Sequence, residues 1–134
     1  MRDHAGAAAS LRHSLAIYQE LADQGGECYV LHEIGVLYRV RGDLADAESR
    51  LRQSLDVARE IGTVWIEAHA LAELGRCARD AGDRPGAIGL LRQALDIFTR
   101  IGTVHARELA AELTALDEPP AGTRTNDPRS GRPC

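Results

Sequence analysis

Apolar side chains recur three and four positions apart along most of the chain: Leu11, Leu15 and Tyr18, then Leu31, Ile34 and Tyr38, then Leu51, Leu55 and Ala58. Leu71, Leu74 and Ala78 continue the pattern, as do Leu91, Leu95 and Phe98. This spacing puts each set on one side of a helix, whereas a strand would need sustained alternation of apolar and polar residues, and none occurs. Breaks fall near residues 23–26, 41–43, 62–63, 81–83 and 102–103, at Gly25-Gly26, Gly42, Gly62, Gly82 and Gly102. Glycine accepts the left-handed backbone that closes a helix, and Asp43 and Asp83, directly after two of these glycines, are suited to capping the helix that follows. The pattern predicts an all-α fold of about six helices.

The helices are not independent of one another. The stretch from Gly42-Asp43 to Val64 returns without a gap from Gly82-Asp83 to Val104, with Ala47 matched by Ala87 and Leu51 to Asp56 matched by Leu91 to Asp96. Ile-Gly-Thr-Val closes both copies. A constant step of about 40 residues marks antiparallel helix pairs stacked into an α-solenoid.

Ile34-Gly35, Tyr38, Gly42, Ala47, Leu51 and Ser54-Leu55 in one copy, with Leu74-Gly75, Ala78, Gly82, Ala87, Leu91 and Ala94-Leu95 in the next, resemble the tetratricopeptide repeat. The small residues in that pattern, Gly35/Gly75, Ala47/Ala87 and Ser54/Ala94, stand where paired helices approach closely and larger side chains would push them apart. The usual repeat of the family is about 34 residues. Its proline near the end of the second helix is replaced here by Ile61-Gly62-Thr63 and Ile101-Gly102-Thr103. The longer unit is similar to the variant found in the C-terminal arrays of large bacterial transcriptional regulators with nucleotide-switch ATPase domains.

The resemblance covers residues 3–117, divided into a half-repeat at 3–23, repeats at 27–62 and 65–102, and a terminal helix at 104–117. Residues 118–134 are rich in proline, glycine and charge, too poor in apolar side chains to form a core, and are expected to be a disordered tail. Within that tail, Arg124, Arg129 and Arg132 have two readings, contact with an acidic partner or, the favoured one, part of a solvated linker. Asp3 to Ala22 aligns with the second helix of a repeat whose first helix is missing, so Ala7, Leu11, Ser14 and Leu15 are expected to lack their normal cover. Two covers fit, a second copy of the chain in a homodimer or upstream repeats of a longer polypeptide. At the other end, allowing for one residue missing from the preceding loop, Leu109, Leu113 and Leu116 come onto the packing face, and Glu108 and Glu112 are expected to point outward.

Charge and chemistry narrow the functional classes. All 16 basic residues are arginines, spread along a chain of net charge -4, without the dense basic face of a nucleic-acid module. No run approaches a membrane span or a secretory signal, so the expected location is the cytoplasm. Cys28, Cys77 and Cys134 form neither a disulfide framework nor a zinc motif, and the first two read as small helix-borne residues in a reducing compartment. His32-Glu33 begins like a zinc-protease helix, but Val36 stands where the second histidine would be. His4, His13, His32, His69 and His105 lie on different helices without ligand spacing. With no phosphate loop, nucleophile elbow or dinucleotide fingerprint, neither an enzymatic activity nor a cofactor is expected.

The resemblance implies instead a non-enzymatic scaffold that binds a protein or peptide, as a sensing or docking module of a bacterial regulatory protein. Its first helices would line a concave groove bearing Tyr29, His32, Glu33, Val36 and Arg39 beside His69, Ala72, Glu73, Arg76 and Arg79. There the arginines are suited to pair with carboxylates of a bound segment, while Tyr29 and Val36 supply apolar contact. The lysine/asparagine clamp of chaperone-tail-binding relatives is not reproduced. Trp65 has two readings, packing between repeats or standing exposed as an anchor. The competing functional reading is purely structural: an array-extending or oligomerising segment, with Ala7, Leu11, Ser14 and Leu15 as its self-association stripe and no groove ligand.

Overall fold

Six α-helices and no strands make up the described part of the computed structural model, residues 4–117. In chain order they are α1 (His4–Glu20), α2 (Gln24–Arg41), α3 (Leu44–Ile61), α4 (Val64–Asp80), α5 (Arg84–Ile101) and α6 (His105–Asp117). Residues 1–3 and the tail expected at 118–134 lie outside the described residues. The architecture is the all-α solenoid that the apolar spacing predicts: α2 pairs with α3, α4 with α5, and the pairs meet through α3 and α4. At the ends of the stack α1 packs on α2, and α6 on α5.

The turns have local causes. Gly42, Gly62, Gly82 and Gly102 all take left-handed φ between 74° and 89°, which a side chain would resist. The Asp83 carboxylate then caps α5 by accepting from the Gly86 amide at 3.0 Å, whereas Asp43 turns to Arg41 at 3.1 Å and makes no side-chain cap on α3. The first turn departs from the sequence expectation. Gly25 and Gly26 do not end a helix but lie in the first turn of α2, because Asp23 caps that helix by accepting from the Gly26 amide at 3.0 Å. The left-handed residue is Ala22, at φ 54°. Gly26 answers to packing, since a Cβ there would run into the Tyr18 ring of α1.

Two close approaches hold each pair together. A Cβ on Gly75 would lie 2.8 Å from Leu91 Cγ and 2.9 Å from its Cδ2, and one on Gly35 would meet Leu51 closer still. Leu51 and Leu91 are both fully buried, so neither can swing into solvent to make room. Where the second pair has Ala94, the first has Ser54, whose buried hydroxyl donates to the Cys28 carbonyl at 2.7 Å and so satisfies itself on α2. The main core runs through α3 to α6 around Leu51, Leu71, Leu74, Leu91, Phe98 and Leu109, and a smaller cluster joins Leu15 to Val30, Leu31 and Ile34. Cys28 and Cys77 are free and buried, and burial pushes the Cys77 thiol up to about 11, which keeps it protonated and unreactive.

The first helix is covered unevenly. Ala7 is exposed, and Leu11 and Ser14 half-buried, where their counterparts Ala47, Leu51 and Ser54 are fully enclosed between α2 and α4. Leu15 does not belong with them: it is buried against Val30, Leu31 and Ile34 of α2, as Leu55 is buried one repeat later. This face of α1 already has its downstream neighbour. Leu11 too leans on that cluster.

Candidate functional site: the wall shared by α2, α4 and α6

Alternate helices of a solenoid present one face to a common wall, and here that wall has two chemically different ends. Toward the C-terminal ends of the helices runs a ladder of ion pairs. Arg39 of α2 donates through Nε to Glu73 Oε1 at 2.8 Å and through Nη1 to Asp80 Oδ2 at 3.2 Å, both on α4. Glu73, 7% exposed, is shared with Arg76, whose Nε and Nη2 donate to the two oxygens of Glu112 on α6 at 2.9 and 2.6 Å. Arg79 closes the network on Glu112 at 3.3 Å and Asp80 at 3.1 Å. The hydrogen bond to Glu112 raises Arg76 above the ordinary guanidinium value, while the bond from Arg76 holds the Glu112 carboxyl below the usual range despite its burial.

Three guanidiniums therefore face three carboxylates, and this end of the wall carries no net charge. Two sequence expectations change. Arg39, Arg76 and Arg79 do not present free cations to a ligand's carboxylates, because carboxylates from the neighbouring helices already hold them. Nor does Glu112 point outward: it turns to Arg76 and Arg79 of α4, while Glu108 stays exposed.

The N-terminal end is aromatic. His32, His69 and His105, one from each of the three helices, sit with ring centroids 5.8 Å and 4.8 Å apart in succession. Trp65 lies against His69 at 4.6 Å, His105 at 5.3 Å and Phe98 of α5 at 6.0 Å. Burial, reinforced by His32, His105 and Arg76 and opposed by Glu73, drives His69 down to about 4, so its ring is neutral at physiological pH. His32 Nδ1 lies 3.2 Å from Glu33 Oε1, a bond that holds the Glu33 carboxyl low, and its Nε2 is buried without a hydrogen-bond partner.

Between α2 and α4 this end opens into a concavity of about 220 Å³ lined by Tyr29, His32, Glu33, Trp65, Ile66 and His69. A second, of about 180 Å³, adjoins it across His69 and reaches Ala72, Arg76, Phe98 and His105. Tyr29 is 55% and Trp65 45% exposed, so both readings of Trp65 hold in part: it packs on the rings of its neighbours and still offers a surface. A larger hollow, about 490 Å³, lies elsewhere, over α3, α4 and α5 beside Gly86 and Gly89.

Of the residues expected to line the groove, Tyr29, His32, Glu33 and His69 are brought to one opening, while Arg39, Glu73, Arg76 and Arg79 form the ladder. Val36 is half-buried and Ala72 buried. Asp80, Glu112, Ile66, Phe98 and His105 were missed. The available signal was the repeat step itself, which places His105 one 40-residue unit after Trp65 and on the second helix of the shared wall after that of His32. Despite their contacts, the histidines do not make a metal centre: among the described residues no group of three or more His, Cys, Asp or Glu is placed to hold an ion. None of the described helices is long and apolar enough to cross a membrane. A family model described as tetratricopeptide repeat matches residues 26–100. No curated protein matches the chain.

Proposed function

Because this chain belongs to the tetratricopeptide repeat family, a family of helical scaffolds with preformed inner walls, we propose that its α2/α4/α6 face binds an extended protein or peptide segment. The observation that supports this most is the opening between Tyr29 and Trp65: two large rings left half in solvent on a wall whose arginines are already paired. Exposed aromatics in a concavity are the residues that carry binding energy at interfaces. We further infer a sensing or docking role within a bacterial, cytoplasmic regulatory protein, a reading supported by the longer repeat with Ile-Gly-Thr at residues 61–63 and 101–103.

Selection of displayed random peptides on the full chain, followed by amide-shift mapping of the binders, tests the first proposal. Shifts gathered on α2, α4 and α6 are expected. Binders that perturb only α3 and α5, or an absence of binders, would refute it. The second reading, an array-extending segment, is favoured by one observation: Ala7 is exposed and Leu11 and Ser14 are only half-buried where Ala47, Leu51 and Ser54 are enclosed. Sedimentation as a 14.5 kDa monomer at every concentration, with a melting temperature independent of concentration, would exclude the homodimer form of that reading.

A further inference from the structure

The charge distribution along the wall says what kind of side chain the opening is built to receive. Every arginine of the wall is held by carboxylates at the far end. None lines the Tyr29–Trp65 concavity, whose one carboxylate is Glu33, with its side chain 40% exposed. One Glu33 oxygen is engaged by His32, and the other accepts no hydrogen bond among the described residues. The remaining walls are an exposed tyrosine ring, an exposed indole, Ile66 and imidazoles. We propose that this concavity is a receptor for a basic side chain, arginine above lysine, carried by an extended segment of a partner protein. The proposal rests on the groove-binding reading above and supplies the chemistry of its ligand.

Three side-chain classes can be compared. An acidic side chain would enter beside Glu33 with no arginine in the lining to offset the repulsion. A purely aliphatic one would suit the rings but would strip water from the free Glu33 oxygen without replacing its hydrogen bond. A guanidinium meets both demands: its flat face lies on the electron-rich faces of Tyr29 and Trp65 while its N–H groups donate to the carboxylate, and its methylenes cover Ile66. Lysine provides the charge without the planar stacking. The partner segment this chemistry selects is the reverse of the acidic one that the arginine content of the groove suggests from sequence.

The test uses the full chain and binders whose amide shifts fall on α2, α4 and α6. Each arginine or lysine in those peptides is replaced in turn by citrulline or norleucine, and affinities are measured by calorimetry. One shared basic position is expected, where neutral replacement weakens binding about tenfold. Glu33→Gln, which keeps the side chain's shape and removes its charge, should abolish most of that discrimination while the chain stays folded, giving up only the stabilisation that the bond from His32 supplies. Face-bound peptides without a shared basic position, or a Glu33→Gln chain that retains the full penalty, would overturn the inference and leave groove binding standing. Binders located on another face would overturn both. If Glu33→Gln disturbs the fold, Tyr29→Ala replaces it, and an undiminished citrulline penalty there would count against the proposal.

Discussion

Gly35→Ala and Gly89→Ala are the same chemical change in two helix interiors, and the structure assigns them opposite signs. In each helix alanine gains about 1 kcal/mol over glycine in intrinsic propensity. At Gly89 the added methyl has nothing within 4 Å, so that gain is realised and the chain becomes about 1 kcal/mol more stable. At Gly35 the methyl would come 2.6 Å from Leu51 Cδ2, closer than packed carbons approach. Leu51 is fully buried and enclosed with Ala47, Ala68 and Leu71, so the collision moves backbone rather than a free rotamer. Overpacking of this kind costs about 3 kcal/mol at its upper end, which leaves a net loss of about 2 kcal/mol after the propensity gain. Urea denaturation at matched protein concentration reads both changes as midpoint shifts at constant slope. A Gly35→Ala protein as stable as the parent would refute the close helix approach on which the stacking depends. A destabilised Gly89→Ala protein would refute the view that this position is unconstrained within the chain.

Removing the shared carboxylate of the ladder, Glu73→Ala, leaves Arg39 and Arg76 short of a partner in a mostly enclosed site and should cost about 2 to 3 kcal/mol, less than a fully buried pair because both guanidiniums keep some solvent; a change under about 0.5 kcal/mol in urea unfolding would show the ladder to be ornamental. Stability should fall on acidification from pH 6.5 toward 4, because His69 titrates at about 4 in the folded chain and the unfolded imidazole takes its proton first. Glu33 and Glu112, with carboxyls held below 4.5 in the fold, add a loss of the same sign at lower pH. Urea midpoints across that range, with the His69 ring followed by NMR, check this; a flat profile, or a ring titrating near its ordinary value, would contradict the packing around it.

Much of the fold was legible because its determinants are local. Gly42 and Gly82, the Leu-Arg-Gln-x-Leu-Asp runs and the small residues at 35 and 75 each state a turn or a close contact within one helix pair. Gly25-Gly26 misled for the same reason: paired glycines usually end a helix, and only the distant Tyr18 ring and the Asp23 cap explain why they begin one. The site was legible as a face but not as a set of partners. Periodicity put Arg39, Arg76 and Arg79 on the wall, yet whether they are free depends on Glu73, Asp80 and Glu112. The last of these turns inward through the pose of α6, which no single-helix pattern encodes. The contact among His32, His69 and His105 was likewise hidden, because residues that share one wall of a solenoid lie about a repeat apart in sequence and show no short-range spacing. On α1, Ala7, Leu11 and Ser14 keep surface, while Leu15 is claimed by α2, a contact that the pattern of a single helix does not encode.

Trp65 is the chain's one tryptophan and stands at the mouth of the proposed binding site, 45% exposed, so tryptophan emission reports on the surroundings of that site. Titrating a face-binding peptide while recording tryptophan emission should move the maximum to shorter wavelength in proportion to the bound fraction, as the ligand covers the indole beside Tyr29. Saturable binding with an unmoved emission maximum would mean that partners are held elsewhere, and the assignment of this wall as the recognition surface would fall.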